Sequence, residues 1–238
     1  MAIVVRNTLG LKHPSVQSVI EVAQEIISEN KVLNTEILYN IAKRRLQIPR
    51  RGLLRIIQFL LNKKILVEGT KCTKDTVLSN PYRNKVYSFI TSNLGVHFSI
   101  IRKVLFSDSE SKSQRTGQLV WHLEALIKFD YIKKVKFKNY AIFIPSEIDD
   151  ETGVIYFLLR DKLNKKIVDL LIKQELIIKS DIHKQLNEPR EIIYYRINNL
   201  INYNIVYQIE SDNNEISLNP NNKDLIVQIF NDISKFRA

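Results

Sequence analysis

Arg50, Arg51 and Arg55 crowd the start of an apolar-periodic segment that opens on Pro49. A guanidinium there can fork onto phosphate oxygens or onto the O6 and N7 atoms of a guanine, and a helix N-terminus adds backbone donors. A second group, Gln114, Arg115, Thr116 and Gln118, stands at the head of another such segment and has the donors and acceptors for base edges or phosphates. Lys134, Lys136 and Lys138 alternate with Val135 and Phe137, so a strand here shows three ammonium groups on one face. Arg190, Tyr194 and Arg196 form a third set, diluted by Glu188 and Glu191. All of this is chemistry for holding a polyanion.

Catalytic chemistry finds few footholds. The six glycines never cluster into a phosphate-cradling loop, and His13, His97, His122 and His183 are each isolated from any partner at metal-ligand or nucleophile–base spacing. Asp149, Asp150 and Glu151 read as a linker and helix cap rather than a magnesium site. Trp121 is expected to pack, and His122 to be a surface or capping histidine. No enzyme, metal or cofactor is expected.

The elements that position these side chains recur. Leu60-Leu61-Asn62-Lys63-Lys64-Ile65-Leu66 returns as Leu126-Ile127-Lys128-Phe129-Asp130-Tyr131-Ile132 and as Leu200-Ile201-Asn202-Tyr203-Asn204-Ile205-Val206, at intervals of 66 and 74 residues. Three and seven positions before each anchor leucine lie Ile57 and Leu53, Leu123 and Leu119, and Ile197 and Ile193. That is one buried helical stripe, repeated three times. The interval suits three helices plus a hairpin, so the expected fold is mainly α with small β-hairpin wings (α+β), built as three tandem winged helix-turn-helix modules spanning 1–79, 80–148 and 149–238.

In the first module the spacing predicts a helix over Pro14 to Ser28, a second capped by Thr35, a third starting at Pro49, and a short strand over Leu66 to Lys71 turning at Gly69. The second module opens at Asn80-Pro81, stops near Gly95, and continues with a helix capped by Ser99 that turns Ile100, Ile101 and Leu105 inward. A polar stretch over Ser107 to Ser113 precedes its third helix, and a hairpin turns at Lys138-Asn139. The third module carries one long helix, or two broken near Asp161, then a short helix capped by Ser180, a helix from Pro189, an acidic wing with Glu210, Asp212 and Glu215, and a closing helix over Pro220 to Phe236.

Charge follows this division. The chain has a net charge of +11 and a pI near 9.6. Residues 1–80 carry 13 Lys+Arg against 6 Asp+Glu, residues 81–148 carry 11 against 5, and residues 149–238 carry 12 against 14. A uniform codon bias would not spare the third module, so the basic surface of the first two is expected to be functional. No run approaches the ~18 apolar residues of a membrane span, Met1 to Val5 is too short for a signal-peptide core, and Cys72 stands alone. A cytoplasmic, nucleoid-associated protein is expected.

The segment from Asn80 to Pro145 resembles the archaeal transcriptional regulators built from tandem winged helices of the MarR/ArsR type, through Tyr82-Arg83, Val86-Tyr87, Asn93-Leu94-Gly95-Val96-His97-Phe98, Ile101-Arg102 and Gly117-Gln118-Leu119-Val120-Trp121-His122-Leu123. The stretch from about Glu151 through Arg190 to Leu218 is similar to their second winged helix. The resemblance implies sequence-specific binding of double-stranded DNA as a homodimer. It leaves the basic first module unmatched and the Ser107 to Ser113 loop enlarged. Two other uses of such modules compete: a protein–protein scaffold of the ESCRT-II kind, and a replication or chromosome-architecture factor. A pure scaffold has no need of the Arg50, Arg51, Arg55 cluster or the lysine-bearing wing.

Overall fold

A computed structural model describes residues 10–29, 31–105, 112–209 and 214–235, without the side chains of 112–115, 234 and 235. Of the polar stretch expected over Ser107 to Ser113, residues 107–111 lie outside the described residues, as do the wing residues Glu210 and Asp212 and also Phe236, while Lys112 and Ser113 already belong to a helix. The fold is mostly helical with two small antiparallel sheets. The chain divides into two compact units, residues 1–88 with 108–132, and residues 89–107 with 133–238.

In the first unit, α1 (Pro14–Ser28), α2 (Thr35–Arg45) and α3 (Arg50–Asn62) close around Val16, Val19, Ala23, Leu38, Leu53, Ile57 and Leu60, all buried. Each valine, leucine or isoleucine among them contributes about 2 kcal/mol when removed from water. Asn34, not Thr35, caps α2, its side-chain oxygen accepting from the N–H groups of Glu36 and Ile37 at 3.0 Å. Thr35 is instead the first helical residue and donates its hydroxyl to Glu68. Pro49 caps α3 from one position earlier than expected.

The strand expected over Leu66 to Lys71 does not form. Leu33 exchanges backbone bonds with Thr70 and Gly69, both at 2.8 Å, and Gly69 turns the chain at φ +73°. The backbone N–H of Thr73 is then taken by the Thr76 hydroxyl at 2.9 Å, which starts the short helix α4 (Lys74–Val77). Within the segment the Thr70 hydroxyl donates back to the Val67 carbonyl at 2.6 Å, a local side-chain bond that competes with a ladder. This unit also contains α7 (Lys112–Lys128) and the first part of α5 (Pro81–Ser92).

The second unit holds two similar runs. In one, β1 (Val96–His97), α6 (Phe98–Leu105), β2 (Ile132–Phe137) and β3 (Tyr140–Pro145) give a sheet ordered β1-β3-β2, with Val96 opposite Phe143. In the other, α8 (Asp150–Leu159) and α9 (Lys162–Gln174) precede β4 (Leu176–Ile178), α10 (Lys179–Leu186), α11 (Arg190–Asn202), β5 (Val206–Gln208) and β6 (Glu215–Leu218), with the sheet ordered β4-β6-β5. The chain then ends in α12 (Lys223–Lys235), which starts later than Pro220.

The helix before β4 is two helices, because Asp161 leaves the helical path and accepts from Leu163 and Asn164 N–H at 3.0 and 3.1 Å. Ser180 is not a cap: α10 begins at Lys179, directly off β4. Likewise α6 begins at Phe98, and Ile100 is exposed while Ile101 is buried. Gly95 is required where it stands: it sits at φ +69°, and a Cβ there would lie 2.3 Å from the Gly153 carbonyl oxygen.

The repeated joint has one geometry in all three places. Ile65, Tyr131 and Ile205 donate backbone N–H to Leu60, Leu126 and Leu200 at 3.0, 3.0 and 2.9 Å. Lys64, Asp130 and Asn204 bond back to Leu61, Ile127 and Ile201, each at 3.0 Å. The turning residues take φ of 55°, 59° and 54°. This is the paired helix-ending bond pattern in which one left-handed residue satisfies the last carbonyls. All nine stripe residues are buried, which anchors each joint to its core.

Candidate nucleic-acid interface

α3 carries Arg50, Arg51, Leu54, Arg55 and Gln58 outward, all exposed. None of the three arginines is in an ion pair among the described residues, whereas Arg45 at the end of α2 is held by Glu25. The first turn of α3 has no acidic residue and no side-chain cap. Helix dipoles favour anions at this end, by roughly 0.3–1 kcal/mol per charge, so arginines here work against the stability of the helix. An anion at such a helix start would be favoured by the backbone N–H groups and by the guanidinium groups alike.

On α7, Gln118 is exposed and Thr116 half-buried; Gln114 and Arg115 lie in the helix, with undescribed side chains. Trp121 is partly buried and packs: it is 56% exposed, with the Arg83 guanidinium 4.8 Å from its ring centre and the His122 ring at 5.0 Å. His122 is buried rather than at the surface, and its Nδ1 has no hydrogen-bond partner among the described residues. Burial, and then the charge of Arg83, hold its pKa below the ordinary histidine value.

The hairpin of β2 and β3 alternates as the sequence requires. Lys134 and Lys136 are exposed while Val135 and Phe137 are buried. Lys138 turns at φ +51° and is occupied otherwise: its ammonium donates to Asn199 and lies 5.2 Å from the Tyr195 ring centre, both on α11. Phe137 also packs on Tyr203 at 4.8 Å. The bond from Asn199, followed by that from Lys138, holds the Tyr195 phenol below its ordinary pKa. Thus the tip of this hairpin is seated on α11, a pairing across 61 residues of chain that no local pattern signals.

Arg190 opens α11 with its guanidinium 4.9 Å from the Tyr194 ring, and Lys179 lies on the same ring at 5.0 Å while donating to Asn198 at 2.8 Å. Arg196 is paired with Asp161 at 3.1 Å. Lys179, Asn198 and Asn199 escaped the sequence reading, since single polar residues at helical spacing carry no signature. Glu191 occupies the first turn of α11, and Glu215 is half-buried on β6.

No group of three or more His, Cys, Asp or Glu able to hold a metal occurs among the described residues, and none of their helices is long and apolar enough to cross a membrane. No family model matches the chain. It is similar to an uncharacterised HTH-type transcriptional regulator of Methanocaldococcus jannaschii, 28% identical over 166 residues, which make up 69% of this chain and 40% of that protein. The chain therefore spans well under half the length of this relative.

Proposed function

We infer that the chain is a DNA-binding transcriptional regulator of three consecutive winged helix-turn-helix modules, 1–79, 80–148 and 149–238, the first lacking a stranded wing. The observation that carries this reading is the start of α3, where Arg50, Arg51 and Arg55 stand exposed, without an ion pair among the described residues, on a helix with neither a side-chain cap bond nor an acid in its first turn. Similarity to an HTH-type transcriptional regulator supports it. So does the helix–strand–helix–helix–strand–strand order that occurs twice, each time with the last strand in the middle of its sheet.

In this reading α3 and α7 lie in successive major grooves. Arg50, Arg51 and Arg55 contact phosphates and guanine edges, Gln114, Arg115, Thr116 and Gln118 face base edges and backbone, and Lys134 and Lys136 follow the phosphates. Lys138 steadies the wing against α11, and Arg190 makes at most a peripheral contact. The protein acts as a homodimer in the cytoplasm, associated with the nucleoid. Fluorescence anisotropy of labelled random and genomic duplexes tests this. Binding should weaken steeply with salt, and Gln118→Ala should change the sequence preference more than the overall affinity. Binding indifferent to salt removes the assignment.

A further inference from the structure

Two basic side chains lie buried next to one another in the first compact unit. His122 on α7 is only 5% exposed, and its Nδ1 meets no partner among the described residues. Two groups that titrate or carry charge face it from α5: Tyr82, whose ring lies nearly parallel at 6.3 Å, and Arg83, whose charge acts on the imidazole. From α7 itself the Trp121 ring stands edge-on at 5.0 Å. Glu124, two positions on, is exposed and lies about 200° around the helix. Arg83 is as deeply placed as His122; its guanidinium donates to the Val77 carbonyl at 2.7 Å and touches the Cys72 sulfur at 3.9 Å, while its Nε has no partner among the described residues. Neither base is in an ion pair among the described residues.

A guanidinium keeps its charge at every working pH, so the imidazole is the group that must yield. Neutral, His122 is a packed ring with one unanswered nitrogen. Protonated, it becomes a second buried cation beside the first, with an Nδ1–H that meets no acceptor. We propose that His122 is a proton-operated catch: the neutral ring seats α7 against α5, and its protonation beside Arg83 loosens α7 in mild acid. A loosened α7 also displaces Gln118; that consequence for a duplex rests on the reading above, whereas the catch itself does not. The sign follows from linkage. A histidine held below its ordinary value of 6.5 favours the folded form above that pH, and the advantage is lost as pH falls through the folded value.

Amide hydrogen exchange along α7, measured on the full chain without DNA and corrected for intrinsic chemical rates, tests the catch. Between about pH 7.5 and about pH 5.5 the opening constant of α7 should rise about five-fold in wild type. His122→Phe, which keeps a ring against Tyr82 but takes no proton, should abolish the rise. Arg83→Met, which removes the neighbouring charge, should reduce it to about two-fold. NMR of the His122 ring reads the proton in wild-type protein directly: its midpoint should lie below 6.5 and move upward in Arg83→Met. An α7 that opens equally at both pH values, a rise that persists in His122→Phe, or a His122 ring titrating at 6.5 or above overturns the catch. Because these measurements contain no DNA, they stand or fall apart from the duplex-binding reading.

Discussion

α3 and α11 are the same helix twice in outline and opposite in surroundings. Both have 13 residues, both are capped by a proline followed by arginine, and both end in the same left-handed joint. Around α3 the outward arginines meet no carboxylate among the described residues, whereas α11 has Glu191 in its first turn, Arg196 tied to Asp161, and Tyr195 and Asn199 engaged by Lys138. Backbone and core are thus indifferent to use. What differs is whether the outward face is left open or is filled by another part of the chain.

The largest expected effect lies in the charge. Arg50→Ala with Arg51→Ala should weaken every duplex by about 100-fold at low salt, whereas Arg190→Ala should change affinity by no more than about three-fold, both read by anisotropy. Comparable losses at the two helices would break the contrast. Next, Asn199→Ala should release the hairpin tip and return the Tyr195 phenol upward toward its ordinary value near 10, followed by ring NMR through a pH titration. An unmoved titration would mean that Lys138 is not held by α11.

The joints should differ more subtly. Lys64→Gly relieves a left-handed lysine and should stabilise the protein by roughly 0.5–1 kcal/mol in urea unfolding, while Asn204→Gly gains less, because asparagine tolerates that backbone better. Smallest is the cap of α8, where Asp149 accepts from the Thr152 N–H at 2.8 Å and from its hydroxyl at 2.7 Å. The Thr152 side-chain bond, then its backbone bond, hold the carboxyl below its ordinary pKa. A depressed folded pKa contributes stability above the unfolded value near 4, which fades as pH falls through the folded one. Asp149→Ala should therefore cost about 1 kcal/mol at pH 7 and progressively less below pH 4.

The comparison also explains what sequence could reveal. The three joints, the nine stripe residues and the alternation of β2 are periodic, and periodicity survives in a string of letters because burial imposes it at fixed spacing. β1 and β4 were missed, since strands of two and three residues carry no period and their partners lie about 40 or more residues away. The cap of α2 shifted by one residue because Asn34 and Thr35 are locally interchangeable until tertiary contacts choose, and α10 starts two residues earlier than a Ser180 cap allows because it follows directly off β4. Where a strand was expected near Gly69, the glycine turns at positive φ and the Thr70 hydroxyl bonds back to the Val67 carbonyl. At the candidate interface the exposed arginines followed from pattern alone, but the capture of Lys138 and the burial of His122 depend on partners far along the chain.

The central claim, that open arginines on α3 hold a polyanion, is tested most directly by the slope of log affinity against log salt for wild type and for the Arg50→Ala, Arg51→Ala double variant on one duplex. The account predicts a steep wild-type dependence that flattens by about two in the variant. Identical slopes, with affinity unchanged, would contradict it.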